Sequence, residues 1–259
     1  MDLSVIVGTR PPPIIDSRNK LILIWSAKAG CTFAVKWMFL HMGVFEEAFP
    51  RVHKYRVEKL YPSKEHRAAV EDFVGAPDAY RAVKFARSPF KRAVSSYIQA
   101  ARFGYEDAGI SKFLGRKVDA TSRFSFREFL RYLETVDLTK CNIHHQLQAH
   151  ALERRCMLAS TFLVNLDHSL QTLPKLESFL GLAQSDPRRF RESHHHTRKP
   201  QDPVNGFNGD TLFDIFNKAA PEMPEYRSFY DADLEAIVIR LYAQDFLRYG
   251  FSASLNATS

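Results

Sequence analysis

The stretch from Leu21 to Met42 constrains this chain more than any other. Leu21 to Trp25 (LILIW) is a run of β-formers without a charge, which predicts a strand buried on both faces. It opens into a loop of small residues, Ser26-Ala27-Lys28-Ala29-Gly30-Cys31-Thr32. Phe33 to Met42 then has the apolar spacing of a buried helix. A strand that passes through such a loop into a helix makes a ready anion site. Backbone N–H groups point at the anion, and the helix dipole adds partial positive charge. Lys28 supplies a mobile full charge and Thr32 a hydroxyl. The Walker pattern G-x-x-x-x-G-K-[ST] is missing, because Lys28 precedes Gly30 and no second glycine lies upstream in the loop, so an ATP or GTP loop fits poorly. Taken alone, the loop also reads as an ordinary βα turn with a solvated lysine.

A second such unit follows. Tyr80 to Arg87 (YRAVKFAR) predicts a strand, Ser88-Pro89 breaks it, and Phe90 to Arg102 predicts a helix. Arg87 falls at the C-terminal end of its strand, where open α/β sheets bind ligands. Ser95 falls about two turns into the helix. An arginine and a serine can together hold one phosphate. Phe90 is expected to anchor the helix in the core and Tyr97 to be core. Arg92 is open between a ligand and a solvated charge.

Thr161 to Leu166 predicts a third strand. Ser125-Phe126-Arg127-Glu128 has capping-box spacing and predicts a helix to about Val136. Ser169 to Leu180, Asp210 to Ala219 and Asp233 to Tyr249 predict further helices, and Phe103 to Thr121 reads as a surface loop. Strands alternating with helices argue a parallel sheet covered by helices. With 259 residues, 45% of them hydrophobic, the expectation is one α/β domain over 1–259 with a P-loop-like central parallel sheet flanked by helices. Its core motifs lie in 21–100, and an acceptor-side and C-terminal helical part spans about 101–259. The net charge of +7 fits an anionic partner without choosing one. Three cysteines, Cys31, Cys141 and Cys156, make no disulfide framework and suggest a reducing compartment.

The two motifs together resemble the sulfotransferases that use 3′-phosphoadenosine 5′-phosphosulfate (PAPS), in particular the carbohydrate (Golgi-type) branch and its bacterial relatives. That family's 5′-phosphosulfate loop has the form Pro-Lys-x-x-Cys-Thr. Here Ala27-Lys28-Ala29-Gly30-Cys31-Thr32 departs from it only in Ala27, which costs loop rigidity but no ligand group. The family's 3′-phosphate motif, Arg-x-Pro-Phe-x-Arg-x-x-Ser-x-Tyr, is matched at every defined position from Arg87 to Tyr97. Weaker similarity runs through His144-His145-Gln146 and the C-terminal aromatic segment. The resemblance implies that Lys28 contacts the 5′-phosphosulfate and its bridging oxygen, with Ala29, Gly30, Cys31 and Thr32 around it. It implies that Arg87 and Ser95 bind the 3′-phosphate.

The implied reaction moves a sulfonyl group in line to a hydroxyl acceptor, a glycan or glycolipid on the branch resembled. It needs a cation at the leaving oxygen, for which Lys28 is the candidate, and a base, for which histidine is suited. The family's base often falls between the two motifs, where His41, His53 and His66 stand. His41, inside the first helix, is expected to be structural, and His66 to be solvated. His53, in a loop-like segment, is the expected base. Glu46 and Glu47 are the alternatives.

His144 and His145 could line an acceptor cleft or cap a helix. His194-His195-His196 lacks ligand spacing, so no metal is expected. Arg198 and Lys199 could border the donor or an acidic acceptor. No nucleic-acid module is legible, and a phosphate-transfer enzyme or a non-catalytic nucleotide-binding protein are the rival readings. The N-terminal stretch lacks a signal-peptide pattern, so a cytoplasmic location is expected, with peripheral membrane contact if the acceptor is lipid-linked. A tethered relative shorn of its anchor would look the same.

Overall fold

A computed structural model describes residue 6 and residues 8–155, 157–191, 206–213 and 223–256. By packing, the chain divides into two compact units, Met1–Arg87 with Gln148–Thr197, and Ser88–Leu147 with Arg198–Ser259. The fold is α/β and P-loop-like, with one mostly parallel four-stranded sheet.

The first unit holds the sheet, in the order β1-β2-β3-β4, formed by Ile14–Asp16, Leu21–Ile24, Arg81–Ala86 and Thr161–Asn165. β2, β3 and β4 run parallel, with Leu21 opposite Arg81 and Ala82 opposite Thr161. β1, which the sequence reading missed, pairs antiparallel to β2 through a tight turn. Asp16 Oδ1 closes that turn by accepting the N–H groups of Arg18 and Asn19.

Side chains of β2 alternate between two cores, as the two-residue strand period requires. Leu21 and Leu23 pack with Trp37, Phe39 and Phe85, whereas Ile22 and Ile24 pack with Val70 and Phe73. This is why the strand reads as an unbroken apolar run. One core is closed by helix α1 (Cys31–Met42), the other by α4 (Lys64–Gly75). Two short helices lie between them, α2 (Phe45–Ala48) and α3 (Val52–Tyr55), and α3 continues into a π-helical turn at Arg56–Leu60.

His41 is structural, as expected: its Nε2 lies 3.2 Å from the buried Glu177 Oε1, on helix Ser169–Leu180, which also accepts from Trp37 Nε1. His66 is a correction. It is buried rather than solvated, inside α4, whose N-cap Ser63 accepts its backbone N–H. Burial lowers its pKa against a hydrogen bond to Pro13.

In the second unit, α5 (Pro89–Phe103) starts with proline in its first turn, where the missing N–H costs nothing. Phe90, Val94 and Tyr97 are buried, and Tyr97 packs on Phe124, Phe126 and Phe129. Arg92 is 1% exposed, not solvated; its Nη2 lies 3.4 Å from His144 O.

The expected surface loop 103–121 contains helix α6 (Asp107–Leu114), tied by Arg123 Nη1 to Asp107 and to Asp119 O. The capping box at Ser125 and Glu128 is present and starts α7 (Phe126–Leu133), shorter than expected. The single C-terminal helix expected over 233–249 is two, Ala232–Leu241 and Ala243–Tyr249. They part at the buried Tyr242, whose backbone leaves helical geometry while its hydroxyl donates to His145 O. The helix expected at 210–219 is not seen in 210–213, and its remainder lies outside the described residues, as do His194–His196, Arg198, Lys199 and Cys156.

Candidate active site

The loop between β2 and α1 is shaped by its backbone. Lys28 has φ 64° and Gly30 φ 76°, both left-handed. Gly30 is required: a Cβ there would meet Leu166 Cδ1 at 2.6 Å, in a conformation that costs an L-residue about 1 kcal/mol. Gly30 is also the N-cap of α1 and contributes no capping side chain. The first bond inside the helix runs from Ala34 N–H to Gly30 O, so the N–H groups of residues 31–33 have no partner within the helix. A short loop with reversed backbone, a lysine and an uncapped helix start are the elements of an oxyanion cradle. Ser26 Oγ is buried at the loop's entrance with no hydrogen-bond partner.

His53, expected in a loop, sits on the short helix α3. Its Nε2 lies 2.9 Å from Thr32 Oγ1 and 3.8 Å from Cys31 Sγ. Of the three candidate histidines, His53 is thus the one that reaches the loop. Glu46 pairs with Arg189, and Glu47 accepts from Tyr55.

Trp25, read only as the end of a strand, is central here. Its indole lies 6.3 Å from the His53 ring between centroids, and the Arg56 guanidinium stacks 4.2 Å over it. Trp25 Nε1 and Tyr61 Oη both donate to Pro12 O, fixing the indole from outside the sheet. Arg56 carries a buried Nε and Nη1 with no hydrogen-bond partner. Burial lowers its pKa, partly offset by Tyr61 and by Cys31 of the loop.

Arg87 follows directly on β3. Its Nη1 lies 3.5 Å from Lys28 O. Its backbone is clamped by the buried Gln148, whose Oε1 accepts the Arg87 N–H at 3.0 Å and whose Nε2 donates to Arg87 O at 2.9 Å. Gln148 O in turn accepts from Lys84 Nζ at 2.6 Å, and Lys84, wholly buried in β3, also faces Glu153 at 3.5 Å. The sequence reading missed this clamp; its one signal was a lysine in the middle of an apolar strand. Ser95 belongs to the second unit, half-buried on α5 one position before the buried Ser96.

His144 stacks on Tyr105, and His145 is buried between Ser96 and Glu106. Among the described residues no group of His, Cys, Asp and Glu could hold a metal ion, and no helix is long and apolar enough to cross a membrane.

The loop, its lysine and the histidine at its hydroxyl have the arrangement expected of a helix start that meets an oxyanion. Comparison with family profiles narrows that reading: residues 12–252 match the sulfotransferase family, and the chain belongs to it. No curated protein and no solved structure gave a match. Members of this family move a sulfonyl group to a hydroxyl-bearing acceptor.

Proposed function

We propose that this chain takes the sulfonyl group from PAPS and delivers it to a carbohydrate hydroxyl. The observation that carries the reading is the 2.9 Å approach of His53 Nε2 to Thr32 Oγ1, at the loop that bears Lys28. The residues fit the donor. The β2–α1 loop offers backbone N–H groups and a lysine to a 5′-phosphosulfate. The family motif assigns Arg87 and Ser95 to the 3′-phosphate, and the Gln148 clamp fixes the backbone from which Arg87 projects.

The acceptor oxygen forms its bond to sulfur as the bond from sulfur to the bridging oxygen breaks. The electron pair departs with the phosphate, leaving adenosine 3′,5′-bisphosphate (PAP). His53 Nε2 takes the acceptor's proton, and Lys28 neutralises the charge that gathers on the leaving oxygen. Ala29, Gly30, Cys31 and Thr32 line the donor. The acceptor class, a glycan or glycolipid, rests on the branch resembled, as does the absence of a metal requirement.

Calorimetric titration with PAP, with adenosine 5′-phosphate as control, tests the donor. PAP should bind at least about tenfold more tightly, and Arg87→Ala should close that gap, since a charge-assisted contact to the 3′-phosphate is lost. Equal affinity for the two nucleotides in the wild type would refute the reading.

A further inference from the structure

An arginine whose donors are buried and unpaired asks for an explanation. Burying a guanidinium N–H without an acceptor costs free energy, and proteins retain such groups where a ligand completes them. Arg56 stands three residues after His53, where α3 passes into the π-helical turn, a rare geometry found often at functional sites. Its guanidinium is held between two rings. The Trp25 indole lies under it at 4.2 Å and the Tyr61 ring stands at 5.7 Å. Trp25 Nε1 can only donate, and Tyr61 Oη, which donates to Pro12 O, bonds neither open nitrogen. Among the described residues no carboxylate pairs with it, although salt bridges are common elsewhere. The side chain is therefore stacked in place with Nε and Nη1 open.

We infer that Arg56 is a second cation of the donor site and that its open guanidinium donors bind the oxygens of the sulfonyl group being transferred. The inference rests on the PAPS reading and deepens it. With Nε and Nη1 both open, the planar fork of N–H donors can meet oxygens spread around one sulfur, whereas Lys28, a point charge, suits the single bridging oxygen. Sulfonyl transfer spreads charge over the equatorial oxygens while the leaving oxygen gains its own. One cation for each is then a division of labour between the loop and α3. The stacked geometry means that little ordering is needed when the donor binds. An anionic group on the acceptor, a carboxylate or an existing sulfate, shares the same chemistry, but Trp25, shared by Arg56 and the loop-contacting His53, favours the donor.

PAP and PAPS differ only in the sulfonyl group, so the pair isolates the contact. Both are titrated without acceptor into the wild type, Arg56→Met and Arg56→Lys. Methionine keeps an apolar stem over Trp25, and lysine keeps charge but not the fork. Arg56→Met should bind PAP nearly as the wild type does and PAPS about tenfold more weakly or worse, the loss expected for a charged hydrogen bond. Arg56→Lys should fall between, and it carries the test if the methionine variant melts early. If both variants bind PAP and PAPS as the wild type does, Arg56 does not touch the donor and the inference fails. Parallel loss of both ligands assigns Arg56 to loop structure and overturns it equally. A wild type that binds neither nucleotide overturns the donor reading itself, a result distinct from these two.

Discussion

His53 and His145 each bring a ring nitrogen to a hydroxyl, one in each unit of the molecule. His53 Nε2 is 2.9 Å from Thr32 Oγ1, and His145 Nδ1 is 3.3 Å from Ser96 Oγ. By geometry alone the second is the more suggestive. His145 Nε2 lies 3.1 Å from Glu106 Oε1, so serine, histidine and carboxylate stand in the order of a nucleophilic triad. Yet Ser96 and His145 have no exposed surface, and Phe129 and Tyr105 enclose the ring. Glu106 also accepts from Tyr132 Oη at 2.7 Å. Burial pushes its carboxyl up, but these bonds outweigh it and hold it below the ordinary range. A closed, satisfied network of this kind fixes a core. His53 is half-buried and meets Thr32 Oγ1 and Cys31 Sγ of the β2–α1 loop. Access, rather than spacing between donors, separates the candidate base from the structural histidine.

That contrast breaks if the two histidines respond alike to removal. His53→Ala should lower turnover about 1,000-fold, within the usual span for a lost general base, and leave the melting temperature near that of the wild type. Its pH–rate profile should lose the acidic limb that a titrating histidine imposes. A His53→Ala enzyme with turnover near normal would move the base elsewhere.

His145→Ala should show the reverse. Removing the ring strands Ser96 Oγ and Glu106 Oε1 in the core, at a cost of about 1–3 kcal/mol for each buried group left unsatisfied. Denaturant midpoints would report that loss, while the surviving folded enzyme should keep its affinity for PAP. A large fall in turnover at unchanged stability would return His145 to the acceptor side.

The sequence carried the chemistry of the donor loop further than its surroundings. Lys28 to Thr32 and Arg87 to Tyr97 stand out because they fit patterns of fixed residue types at fixed spacing. The β2 strand is legible because both its faces are buried, so every position is apolar. By contrast β1 is three residues long and is defined by pairing with β2, a contact no local pattern records. The burial of His66 and Arg92 was likewise hidden. Each lies on a helix whose charge pattern reads as solvated, and only tertiary neighbours decide otherwise. Gln148 has no motif at all. Its role exists because β3 ends beside it, sixty-one positions away in the chain. Arg56 shows the same limit from the other side. In sequence it is one basic residue among several (RVHKYRVEK), and only its stacking on Trp25 and its unpaired N–H groups distinguish it.

A third histidine sharpens the comparison, with the smallest effect. His150 is 4% exposed in the first unit, and both its nitrogens are occupied. Nε2 lies 2.8 Å from Pro11 O, and Nδ1 accepts the Leu152 N–H at 3.2 Å as the N-cap of the short helix Ala151–Arg154. A carbonyl only accepts and an N–H only donates, so the two contacts together fix the neutral form with its proton on Nε2. Burial, then Lys84 and Arg154, bring its pKa down to about 3, against the bond to Pro11. The unfolded chain takes up this proton near the ordinary histidine value of 6.5. Between those limits the unfolded state binds more protons, so stability falls as pH drops from about 6.5 toward about 3. The slope from one such group is at most about 1.4 kcal/mol per pH unit. Unfolding free energies of the wild type and His150→Asn, measured from pH 7 to pH 5, should diverge most at neutral pH and converge on acidification, because asparagine has no proton to take up. Parallel curves would mean that His150 protonates in place, and that a buried histidine in this fold is not held neutral by its two partners.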